Sequence, residues 1–94
     1  MNINNLQVTH NKARNRFEIQ LNDMFARVAY IPAKNHILYT DTEVPAEFEG
    51  RGIGSKLAHF AMEYARENGL KVQPLCPFIS AYVRRHPEYN DIVW

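Results

Sequence analysis

Apolar and polar residues alternate along Arg16–Leu21, with Phe17, Ile19 and Leu21 on one face and Glu18 and Gln20 on the other. A period of two marks a half-buried strand. Asn22-Asp23 then signals a tight turn, so residues 24–31 are read as the hairpin partner. Met24, Ala26, Val28 and Tyr30 share a face there, and the more even apolarity suits an interior strand. Before the hairpin, residues 7–10 read as a short first strand and residues 11–15 as a polar, basic turn. After it, residues 32–35 turn the chain and residues 37–44 form a fourth strand.

The period changes at Ile53. Ile53, Leu57, Phe60, Ala61, Tyr64 and Ala65 recur at helical spacing and form one stripe, which predicts an amphipathic helix over 54–68. Gly69 in the C′ position, followed by Leu70, predicts a Schellman ending. Residues 71–75 form a short strand. It should run parallel to 37–44, because a helix crosses between them. Pro77 opens a second helix over 78–85, with Phe78, Tyr82 and His86 in one row, and Pro87 stops it. Tyr89, Ile92, Val93 and Trp94 predict a tail docked on the sheet. The element order is ββββαβα: an antiparallel meander joined to a βαβ unit in one mixed sheet. That is an α+β fold, read as a single domain over residues 1–94.

Composition narrows the partners. The net charge of +1 gives no electrostatic footprint for nucleic acid, and Lys12, Arg14 and Arg16 read as a solvated hairpin end. No run approaches the roughly 18 apolar residues of a membrane span. The opening Met-Asn-Ile-Asn-Asn lacks the basic start and apolar core of a signal peptide. A single cysteine, Cys76, excludes an internal disulfide. Together these lead to a cytoplasmic expectation.

The chemistry concentrates between the fourth strand and the first helix. Gly50, Gly52 and Gly54 alternate there, in Glu-Gly-Arg-Gly-Ile-Gly-Ser-Lys. Successive amides in such a loop can converge on an anion, and the helix start aims further N–H groups at the same point. The alternative is a plain glycine-rich turn. The Walker pattern is excluded, since Ser55-Lys56 has the wrong order and the glycines the wrong spacing. The dinucleotide fingerprint fails as well, for the region about 20 residues on, near Val72, offers no carboxylate.

Val44-Pro45, the short loop, Gly52-Ile53-Gly54 and the helix resemble motif A of the Gcn5-related N-acetyltransferase (GNAT) superfamily. Glu49 stands where that superfamily usually has Gln or Arg. Thr42-Glu43-Val44-Pro45, Gly52-Ile53-Gly54-Ser55-Lys56, Gly69-Leu70-Lys71-Val72, Pro74, Cys76-Pro77-Phe78, Tyr82 and His86-Pro87-Glu88-Tyr89 act as a set. That set resembles the short single-domain bacterial acetyltransferases related to the human GCN5-related acetyltransferase-domain-containing protein. The two helices that full-length members insert after their first strand have no counterpart in this pattern.

The resemblance implies acetyl-CoA as the bound cofactor and an amine acceptor, with a minimal GNAT-like fold. Val44 then matches the residue whose backbone flanks the acetyl and pantetheine groups. Gly50, Arg51, Gly52, Ile53, Gly54, Ser55 and Lys56 match the loop and first helical turn that hold the pyrophosphate. Tyr82 is assigned as the acid for the departing thiolate, and the alternative is a core aromatic. Amine acetylation also calls for a base. Alternation puts Leu38, Thr40 and Thr42 on the face of Val44 and puts Asp41 and Glu43 opposite; a bulge would flip that assignment. Glu43 is the candidate, against the reading of a salt-bridged strand residue. Cys76 ends a parallel strand just before a helix start. It is either an acetyl acceptor or a buried small hydrophobe. The expected function is acetyl transfer to an extended or macromolecular amine. The rival is a non-catalytic acyl-CoA-binding module.

Overall fold

The computed structural model describes residues 2–94. Four strands, β1 (Thr9–Asn11), β2 (Arg16–Leu21), β3 (Met24–Pro32) and β4 (His36–Glu43), pair antiparallel in chain order. The fifth, β5 (Lys71–Pro74), adds to β4 in parallel. The result is the expected mixed sheet in an α+β fold, with strand order β1-β2-β3-β4-β5. Asn22 accepts a φ of +60° in the β2–β3 turn, a conformation asparagine tolerates better than most residues.

The first strand starts later than its sequence implies. The chain before Thr9 forms a 3-10 turn, Ile3–Asn5, and Leu6 and Val8 lean on the core without joining the ladder. The other end of the sheet gains what sequence could not specify. The Val72 N–H donates to the Ile92 carbonyl at 2.7 Å and the Trp94 N–H to the Val72 carbonyl at 2.8 Å. The docked tail therefore pairs in parallel with β5 through Val93.

One helix, α1 (Ile53–Glu67), packs across β2 to β5 and buries Ile53, Leu57, Ala58, Ala61, Met62 and Ala65. It ends as a Schellman motif: Leu70 N–H to the Ala65 carbonyl at 2.9 Å, Gly69 N–H to the Arg66 carbonyl at 3.2 Å, with Gly69 at φ +67°. The second helix, α2 (Pro77–Arg84), rests on β4, β5 and α1. Phe17, Ile19, Ala26, Val28 and Tyr39 fill the layer beneath α1. Among the described residues no helix packs on the opposite sheet face. Its cross-strand neighbours are Glu18, Arg27 and Glu43 in one row and Arg16, Ala29 and Asp41 in the next.

A bulge sorts β4 between these faces. Ala29 faces Asp41 while Tyr30 faces Tyr39, so Thr40 is one residue extra. The Thr40 hydroxyl donates to the Ala29 carbonyl at 3.3 Å and ties the bulge to β3. Tyr39 turns to the covered side, where its hydroxyl donates to the Ala61 carbonyl at 2.6 Å. Thr42, opposite Val28, also turns to the covered side. Asp41 and Glu43 turn to the open side and share Arg27, at 3.2 and 2.7 Å. In a regular strand both carboxylates would share the parity of Tyr39 and enter the apolar layer.

Candidate active site

The pairing of β4 with β5 stops at Tyr39 and Pro74. The N–H groups of Leu75 and Cys76 both converge on the Tyr39 carbonyl, at 3.0 and 2.9 Å. Beyond that point the strands part, and β4 runs on with no strand on its β5 side. A cleft of about 430 Å³ opens where they separate. Val44, Phe48, Ile53 and Phe78 make its apolar wall. Thr42, Glu49, Gly50, Gly52, Gly54 and Ser55 complete the lining.

The glycine loop supplies the polar end. Gly52 is the N-cap of α1 at φ +84°, and no side chain caps the helix. The first intrahelical bond is Lys56 N–H to the Gly52 carbonyl, at 3.0 Å. The N–H groups of Ile53, Gly54 and Ser55 therefore have no intrahelical partner, and the positive end of the dipole lies with them. All three residues line the cleft, together with Gly50 and Gly52 of the loop. Such a turn can receive an anion.

The sequence-expected residues divide into five places. Val44, Gly50, Gly52, Ile53, Gly54 and Ser55 come together in the cleft. Arg51 lies beside it, its guanidinium 5.9 Å from the centre of the Phe48 ring. Lys56 faces a second, shallower cleft with His59 and Phe60. Glu43 is on the open sheet face, held by Arg27.

Neither Cys76 nor Tyr82 is part of the cleft lining. Cys76 is 3 % exposed, and its thiol donates to Thr42 Oγ1 at 3.2 Å. Tyr82 is 5 % exposed and stacks on His86 at 4.1 Å between ring centres. Its hydroxyl pairs with no other described residue, yet among the described residues no fully buried side-chain oxygen lacks a partner, so the hydroxyl reaches solvent. Burial raises the Tyr82 pKa, reinforced by Glu88 and Glu63 and opposed by Arg85. The neutral phenol, a proton donor, is therefore the form present near neutral pH.

Thr42, Phe48 and Phe78 were not among the expected site residues, although all three line the cleft. Phe78 had a signal: it lies one helical turn before Tyr82, just past a strand end. Phe48 is the one aromatic in a charged loop, where it closes the 3-10 turn Ala46–Phe48.

The family model for GCN5-related N-acetyltransferases matches residues 16–92, from β2 through the docked tail. The chain belongs to this family. Its relatives include Protein NATD1 of Xenopus tropicalis, 34% identical over 85 residues, 87% of this chain and 78% of that protein. The NATD1 of Danio rerio is 34% identical over 91 residues, 92% of this chain and 83% of that protein. The human NATD1 is 32% identical over 85 residues, 87% of this chain and 75% of that protein. Among solved structures, the NMR structure of a GCN5-like protein from Staphylococcus aureus superposes with a TM-score of 0.74 at 30% identity. That match covers 98% of this chain and 91% of the other. A GNAT fold supports an acetyltransferase type of activity, and the family generally uses acetyl-CoA with an acceptor substrate.

Proposed function

We propose that the protein transfers an acetyl group from acetyl-CoA to an amine. The observation that carries this reading is the conjunction of two features in one cleft: the uncapped first turn of α1 and the β4 edge left open beyond Tyr39. Acetyl-CoA supplies the activated acetyl group as a thioester. Backbone amides between Gly50 and Ser55 hold the diphosphate, and the chain at Val44 flanks the thioester end. Glu49, at the mouth, repels rather than binds phosphate, so the anion contacts fall to the backbone. Phe48 and Phe78 exclude water from the arm between. The Tyr82 hydroxyl, protonated near neutral pH but outside the cleft lining, passes its proton to the departing thiolate through an intervening water.

The acceptor approaches from the sheet face that lacks covering helices. That access favours an extended or macromolecular amine. Cys76 is enclosed and engaged by Thr42, so direct attack by the amine is preferred over an acetyl-cysteine intermediate. A second reading, an acyl-CoA-binding module without turnover, draws support from Glu43, whose carboxylate is occupied by Arg27. Calorimetry with acetyl-CoA and a CoA-release assay against pooled amines, peptides and proteins separate the two. Tight binding with release stimulated by one pool supports the transferase. Tight binding without release supports the module. Gly52→Val, a β-branched residue at φ +84°, should lose most CoA affinity while keeping its circular dichroism spectrum. Unchanged affinity in that variant removes the cofactor reading.

A further inference from the structure

Thr42 stands at the junction of the open strand edge and the cleft. It lies beyond Tyr39, the last β4 residue paired with β5. The bulge at Thr40 leaves its side chain on the covered side of the sheet, and it lines the cleft. Its Oγ1 is 3.2 Å from the Cys76 sulfur, with the thiol as donor. A hydroxyl carries one proton and two acceptor lone pairs. The thiol occupies an acceptor position, and among the described residues the hydroxyl proton has no protein acceptor. That proton is left to donate into the cleft.

We propose that Thr42 donates a hydrogen bond to the thioester carbonyl oxygen of acetyl-CoA, and that Cys76 orients the hydroxyl from behind. The inference rests on the cofactor reading above and adds a residue to it. In the transfer, the amine lone pair forms the C–N bond and the C–S bond breaks with its electron pair leaving on sulfur. The amine gives up a proton and the sulfur gains one. Negative charge builds on the carbonyl oxygen between those events. A donor fixed at that oxygen strengthens as the charge grows, so it lowers the barrier more than it improves binding. Thr42 keeps its own proton throughout. Cys76 touches no substrate; it is a positioning residue.

The test uses acetyl-CoA labelled with carbon-13 at the carbonyl and follows the carbonyl band by infrared difference spectroscopy on the whole protein. In the wild type and in Thr42→Ser the bound band should move to lower frequency. In Thr42→Val and Thr42→Ala it should stay nearer its position in free acetyl-CoA, with calorimetric affinity little changed. Two hydroxyl-free variants are used so that loss of fold in one leaves the other to decide. Turnover, with whichever acceptor supports it, should fall roughly a hundredfold in both, with KM for acetyl-CoA nearly constant. Cys76→Ala should broaden the bound band, and Cys76→Ser should restore it. An identical band in wild type and Thr42→Val, both holding acetyl-CoA, overturns the proposal. An unaltered band in Cys76→Ala overturns the positioning role alone. Failure of the wild type to bind acetyl-CoA overturns the cofactor reading, and the two failures are distinguished by whether a bound band is present.

Discussion

The Phe78 ring stands where a side chain at position 54 would begin: a Cβ built on Gly54 would lie 2.7 Å from Phe78 Cζ. Gly54 sits inside α1, so its small size serves the close approach of α2. Alanine there gains some helix propensity, less than the roughly 1 kcal/mol of a helix interior, and meets the ring. Gly54→Ala should therefore lower the urea midpoint in the wild-type background and raise it in a Phe78→Ala background. The two changes should couple with opposite sign. Additive effects, measured by a double-mutant cycle, would remove the steric account.

Tyr82→Phe deletes one hydroxyl and keeps the stack on His86. If that hydroxyl protonates the leaving thiolate, turnover should drop roughly ten- to a thousandfold with acetyl-CoA affinity preserved. The raised pKa of Tyr82 adds a sign: activity in the wild type should persist into alkaline solution and fall only above about pH 10. An equal rate in Tyr82→Phe returns this residue to packing.

Cys76 should alkylate slowly in the folded protein, because the thiol is enclosed and bonded to Thr42. Iodoacetamide labelling followed by mass spectrometry should show fast modification only after denaturation. Rapid labelling of the native protein, blocked by CoA, would instead put the thiol in the cleft.

Stability should decline at high pH. Burial raises the pKa of Tyr39 and of Tyr89, the latter aided by its hydrogen bond to Glu63 at 2.6 Å. The unfolded chain releases these protons near pH 10, while the folded chain keeps them. The contribution is fully present below about pH 10 and is lost as pH rises toward the folded values. Urea midpoints from about pH 8 to about pH 11 should fall, and Tyr39→Phe should flatten that slope. At neutral pH the same variant should cost about 1 kcal/mol, for the lost bond to the Ala61 carbonyl.

Local pattern carried much of this architecture. The alternation in Arg16–Leu21 set β2 to the residue, and Gly69 set the end of α1. The parity of Thr42 and Val44 against Asp41 and Glu43 also held on their side of the strand. Leu38 did not share that face, since it pairs with Ile31 before the bulge. A bulge is a property of two strands in register, and one strand's sequence does not contain it. The glycine loop was legible as a unit, but its members have different reasons. Gly50 and Gly52 adopt positive φ, whereas Gly54 answers to Phe78, a residue 24 positions away. The Thr42 contact with Cys76 spans 34 positions and depends on where β5 ends, so no motif announces it.

Only one side of the sheet lies under helices, and this divides the tolerance of the chain to change. Along β2 and β3, substitutions at Phe17, Ile19, Ala26 and Val28 disturb a layer shared with α1. Their immediate neighbours Gln20 and Phe25 meet water and can drift. The exposed positions of the open face outside its ion pairs are thus free to acquire new recognition chemistry, while Glu18 and Arg27 stay tied and the scaffold that shapes the cleft stays fixed. On the proposed function, acceptor choice would then change with the exposed side chains of the uncovered side, leaving the helix-covered layer intact.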